Sequence, residues 1–120
     1  RLALSKKILI IDDEDDIIIF LETLFKSAGY DTITARNGIE ALEVARNEKP
    51  DLMTLDLQMP RNTGTDFYRK ASRETDLKDV PVIVISGVPG RHLAVPKPAA
   101  VFEKPIDRDK LLATVQQLIG

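Results

Sequence analysis

Five short strand-like runs, separated by stretches with helical spacing, constrain this chain more than any other feature: Ile8–Ile11, Tyr30–Thr34, Leu52–Leu57, Val80–Ile85 and Ala100–Glu103. Runs of Ile, Leu and Val without polar alternation are what a strand buried on both faces requires. Tyr30–Thr34 is more polar and suits a sheet edge. Between the runs, apolar residues recur at helical intervals. Ile17, Phe20, Leu21, Leu24 and Ala28 precede Gly29, a natural stop. Ile39, Ala41, Leu42 and Ala45 follow the capping residue Asn37 and end at Lys49-Pro50. Gly64 breaks the loop after Pro60, and a helix from about Thr65 through Ser72 carries Phe67 and Ala71. Asp107 caps a last helix with Leu111, Leu112, Val115, Leu118 and Ile119.

Strand alternating with helix in so short a chain gives parallel strands joined by right-handed crossovers. The expected fold is therefore α/β: a doubly wound five-stranded parallel sheet in the flavodoxin-like order 2-1-3-4-5. The fourth crossover departs from the pattern. Gly87, Pro89, Gly90, Pro96 and Pro98 leave room for about two turns around Arg91 to Val95, so the fourth helix should be short or absent.

The 120 residues are enough for one hydrophobic core and too few for two, so a single domain over residues 1–120 is expected. The chain opens with Arg1 in place of methionine, which leaves open a longer parent protein. A net charge of −2 supplies no basic footprint for nucleic acid or an anionic membrane. The absence of cysteine excludes disulfides and thiolate metal sites. With no apolar run of membrane-spanning length and no leader-like segment, a cytoplasmic location is expected.

Four of the runs end in residues with chemistry: Asp12 and Asp13 after the first, Asp56 at the third, Ser86 after the fourth and Lys104 after the fifth. Parallel strands bring those ends to one edge, where open α/β sheets bind ligands. Carboxylates gathered there repel by ~1 kcal/mol per pair at 4 Å in water and by ~4 at an effective dielectric near 20. Lys104 can offset this, and so can a hard divalent cation. Oxygen ligands without histidine or cysteine suit magnesium. A carboxylate beside a metal and a lysine is a competent nucleophile toward phosphorus. Ser86 could then donate to the new phosphate, and Gly87 leaves space for it.

In these residues the chain resembles the receiver domain of two-component response regulators. The motifs are Ile11-Asp12-Asp13-Glu14, Asp56-Leu57-Gln58-Met59-Pro60 with Gly64, Ser86-Gly87 and Lys104-Pro105, and the resemblance covers essentially the whole chain. It implies that Asp56 is the phosphoacceptor and that Asp13, Asp56 and the Gln58 backbone carbonyl bind Mg2+, with Asp12 acting mainly through a metal-bound water. It also implies that Ser86 is the switch hydroxyl, that Lys104 contacts the phosphoryl oxygen, and that the Lys104-Pro105 bond is cis. Such a domain catalyses its own phosphorylation and slow dephosphorylation and turns over no free substrate. Its partner would be a sensor histidine kinase or histidine phosphotransfer protein. The resemblance places that partner on the first helix, where Ile18 and Ile19 stand in positions often polar in the family. Ile18 is the expected docking knob.

Two departures from the family pattern stand out. The switch aromatic, usually three residues before the lysine, is replaced by Val101; Phe102 comes one step later and should face the other side of its strand. The stunted fourth crossover alters a face that commonly carries dimer or output contacts, and a homodimer stays open. His92, the only histidine, reads as a solvated loop residue. The phosphate lifetime should depend on Gln58 and Val88. Two other readings compete: a pseudo-receiver that binds without being phosphorylated, and a haloacid dehalogenase-like phosphatase. The latter wants a second aspartate where Gln58 stands.

Overall fold

The runs of branched aliphatic residues become strands because both sheet faces are covered, so every side chain along a central strand finds an apolar neighbour. The computed structural model describes residues 5–88 and 95–120. Its strands are β1 (Lys7–Ile11), β2 (Asp31–Ala35), β3 (Leu52–Asp56), β4 (Val82–Ser86) and β5 (Ala100–Glu103). They form one sheet in the order β2-β1-β3-β4-β5, every pair parallel, as the alternation required. The helices are α1 (Asp15–Ser27), α2 (Gly38–Glu48), α3 (Thr63–Ala71) and α4 (Arg108–Ile119).

Strand periodicity divides the core in two. Ile8 and Ile10 of β1 pack with Leu21 and Phe25 of α1 and Leu111 and Val115 of α4. Leu9 and Ile11 face the other way, onto Ala41 and Leu42 of α2 and Phe67 and Ala71 of α3. The caps lie where the sequence put them. Asn37 accepts from the Glu40 N–H at 2.8 Å and Asp107 from the Lys110 N–H at 3.1 Å. The Glu40 carboxylate accepts from the Arg36 N–H at 2.7 Å, one residue before the cap, and so ties the incoming chain to the first turn of α2.

Several boundaries differ from the sequence reading. β4 begins at Val82 rather than Val80, because Pro81 has no N–H for the ladder and Val80 donates to Leu77 in a turn. β3 stops at Asp56, one residue short of Leu57. Gly64 is not a loop breaker: α3 starts at Thr63 and holds Gly64 in its first turn. A Cβ on Gly64 would lie 2.6 Å from the Asp56 carbonyl oxygen, so its bare backbone is what lets α3 close on the end of β3.

Between β4 and β5, the described residues 87–88 and 95–99 form bends rather than helix. His92 and most of the Arg91 to Val95 span lie outside the described residues. Val95 is buried with Tyr68, Val82 and Val84, and the Tyr68 hydroxyl donates to the Pro96 carbonyl. A strap therefore occupies part of the face where a crossover helix would pack. On β5, Phe102 is buried in the α1 and α4 cluster while Val101 is exposed, so the two do face opposite ways.

Candidate functional site

Asp12 follows the last residue of β1, Asp56 and Ser86 are the last residues of β3 and β4, and Lys104 follows β5. The structure thus brings every one of these to the carboxyl edge, beside the point where the strand order reverses between β1 and β3. Two backbone bonds fix their relative height: Asp12 N–H to the Ala35 carbonyl at 3.1 Å and Lys104 N–H to the Ser86 carbonyl at 3.0 Å. The Lys104-Pro105 peptide is cis, as expected.

The Lys104 amine meets three carboxylates, Glu14 at 3.2 Å, Asp12 at 3.5 Å and Asp56 at 3.7 Å. Asp12 and Asp56 are each almost fully buried. Each has one oxygen tied to a nearby N–H: Asp12 Oδ1 to Glu14 at 2.9 Å and Asp56 Oδ1 to Gln58 at 2.9 Å. Among the described residues Asp56 Oδ2 has no hydrogen-bond partner. Burial pushes both acids up; Asp12 rises from 3.8 to about 6, the nearby Asp56 charge adding to the effect. Asp56 is raised chiefly by burial, against the backbone bond from Gln58 and the Lys104 charge. For Lys104 burial works downward, but the charges of Asp56 and Asp12 outweigh it and hold the amine above its ordinary value.

Asp12, Asp13, Glu14 and Asp56 each offer an oxygen, all within 4.8 Å of one another. That donor set fits a hard divalent cation such as magnesium: it is purely oxygen and strongly anionic, and one of its residues, Asp56, carries the orphaned Oδ2. A buried acceptor without a partner costs about 1–3 kcal/mol, which a ligand at that oxygen would recover.

Ser86 and Gln58 make further contacts within the site. Ser86 is buried, but its hydroxyl is engaged with its own loop, accepting from the Val88 N–H and facing the Val88 carbonyl, both at 3.2 Å. Gln58 uses its side-chain oxygen to accept from the Gly87 N–H at 2.5 Å, linking the loops after β3 and β4. Glu14, which the sequence offers only as the last residue of the Ile11-Asp12-Asp13-Glu14 motif, joins the site through its contact with Lys104. On α1, the docking expectation for Ile18 is overturned, since Ile18 is 5% exposed and packs in the core while Ile19 is 60% exposed. The helix is wider in its apolar face because Ile18 belongs to that face.

A five-stranded doubly wound domain with an acidic crevice and one lysine at its carboxyl edge is the class these features define. The chain belongs to the response regulator receiver domain family, whose family model matches residues 8–116. It is similar to protein Rrf1 of Nitratidesulfovibrio vulgaris, 33% identical over 95% of this chain and 83% of that protein. Among solved structures it is similar to the chemotaxis response regulator CheY4 of Vibrio cholerae, with TM-score 0.85, 27% identity, and coverage of 96% and 99%. The receiver domain of the sensor histidine kinase PA1611 from Pseudomonas aeruginosa, described with a magnesium ion coordinated in its active site cleft, matches with TM-score 0.88. That match covers 98% of this chain and 99% of the other at 23% identity, a likeness of fold.

Proposed function

We propose that this receiver domain accepts a phosphoryl group from a partner's phosphohistidine onto Asp56, with magnesium held by Asp12, Asp13, Asp56 and the backbone carbonyl of Gln58. The observation that carries the reading is Asp56 Oδ2: a buried carboxylate oxygen, unpartnered among the described residues, in a group whose other oxygen is reached by the Lys104 amine. In the transfer, Asp56 attacks phosphorus and forms an O–P bond. The P–N bond to the imidazole breaks, and its electron pair stays on the departing nitrogen. Lys104 pairs with a phosphoryl oxygen as charge shifts onto it. Bound magnesium would neutralise the clustered carboxylates and the phosphoryl oxygens together.

The PA1611 receiver, with magnesium in its cleft, supports the metal assignment by analogy. Once formed, the aspartyl phosphate adds about −1.5 to −2 charge at this edge. Ser86 would then leave Val88 to donate to the phosphate, and the loop beginning at Gly87 would move with it. The output is the altered surface near the strap. The acyl phosphate is lost slowly to water, so the domain is a signalling phosphoacceptor and not an enzyme acting on free substrates. Its partner is a sensor histidine kinase or histidine phosphotransfer protein, with Ile19 on the docking face. Among the described residues no helix is long and apolar enough to cross a membrane. A cytoplasmic location follows from the kinase partner class proposed here.

Labelling with phosphoramidate, which carries a P–N bond like phosphohistidine, tests the reading. Magnesium-dependent, hydroxylamine-sensitive phosphate is expected on the wild type and not on Asp56→Asn. A wild type that binds magnesium yet takes no label would instead be a binding module.

A further inference from the structure

Of the four clustered carboxylates, Glu14 is the one to which the phosphotransfer above gives no task. Yet it holds Lys104 most closely. Its Oε1 accepts a hydrogen bond from the amine at 3.2 Å, whereas Asp12 and Asp56 stand at 3.5 and 3.7 Å. Glu14 occupies the N-cap position of α1 without using its side chain as a cap, so the carboxylate is free to face Lys104. The side chain of Glu14 is 59% exposed and that of Asp56 1%, while Lys104 between them is 15% exposed, so the amine bridges an acid on the surface and one in the crevice.

We propose that Glu14 is a positioning residue: it holds the Lys104 amine toward solvent in the resting domain and yields it to an incoming phosphoryl group. The proposal rests on Asp56 being the phosphoacceptor. To pair with a phosphoryl oxygen the amine must leave Glu14, whose hydrogen bond it gives up. Glu14 thus slows phosphorylation, by an amount set by the strength of an ion pair between the mostly buried Lys104 and the exposed Glu14. Neutralising it should speed the step roughly two- to fivefold.

The test is the labelling rate with phosphoramidate at saturating magnesium for four proteins: wild type, Glu14→Gln, Lys104→Ala and the double variant. Because Glu14 makes no cap hydrogen bond, Glu14→Gln should fold normally, and thermal unfolding checks this. The expected result is acceleration by Glu14→Gln in the Lys104 background and none in the Lys104→Ala background, a coupling that only a Glu14–Lys104 contact produces. Glu14→Asp, which keeps the charge but is too short to reach the amine, should also be faster than wild type. Equal acceleration with and without Lys104 would mean simple charge repulsion and overturn the proposal. An unchanged or slower Glu14→Gln would overturn it too, and a tenfold loss of magnesium affinity alongside would make Glu14 a metal ligand. If the wild type takes no label at Asp56, the phosphoacceptor reading fails first and this inference fails with it.

Discussion

The Lys104 amine stands between Asp12 and Asp56, 3.5 Å from one and 3.7 Å from the other, and is the only cation that the described contacts bring to these two buried acids. One positive charge faces two negative ones there, and both aspartates are raised, first by burial and then by neighbouring carboxylate charges. Removing a carboxylate should then help the metal-free fold. Asp12→Asn or Asp56→Asn is expected to stabilise it by about 1–2 kcal/mol in urea unfolding. Saturating magnesium should cancel or reverse the gain, since the metal binds the wild type.

The same imbalance gives a pH dependence whose sign follows from Asp12. In the unfolded chain it releases its proton near 3.8, whereas in the folded chain it keeps it to about 6. Between those values the folded state binds more protons, so stability falls as pH rises from about 4 to about 6. The loss should be on the order of 2–3 kcal/mol, and Asp56, raised in the same direction, adds to it. Urea midpoints of metal-free wild type and Asp12→Asn across this range isolate the effect, because the variant lacks the Asp12 part of the slope.

Gly38 predicts a different kind of fragility. A Cβ there would lie 1.8 Å from the Thr63 carbonyl oxygen, a backbone atom that cannot step aside, while the Gly38 N–H donates to the Thr63 hydroxyl at 3.1 Å. Gly38→Ala should therefore push α2 off α3 and cost about 2–3 kcal/mol. At Gly87 the added methyl would meet only the tip of Gln58, 2.6 Å away, which can swing out. Gly87→Ala should cost well under half as much, and chemical denaturation of the pair tests the contrast.

Ile18 and Ile19 separate folding from docking. Ile18→Asp places a charge in the core and should destabilise the domain by about 3 kcal/mol or more. Ile19→Asp should leave unfolding and phosphoramidate labelling unchanged while slowing transfer from a phosphorylated protein donor. Equal transfer rates would remove Ile19 from the docking face.

The sheet order and the assembly of Asp12, Asp13, Asp56, Ser86 and Lys104 at one edge were legible because they follow from strand polarity alone, which five short runs display openly. What the sequence concealed depends on side-chain direction and close approach. Ile18 and Ile19 are equally apolar, and only the angular position on α1 decides that one is core and the other surface. Gly64 read as a loop residue ahead of the helix because glycine usually interrupts regular structure; that it clears space for the Asp56 carbonyl depends on a tertiary contact between α3 and β3. Glu14 was hidden by its acidic neighbours, since its contact with Lys104 joins residues 90 apart in the chain.

The central claim is that Asp56 forms an acyl phosphate in a crevice completed by a divalent cation. Peptide mapping after phosphoramidate, magnesium and hydroxylamine trapping tests it at the residue concerned. The account predicts a hydroxamate at position 56, lost with a chelator or in Asp56→Asn. A modification at any other residue, or equal labelling without magnesium, would contradict it.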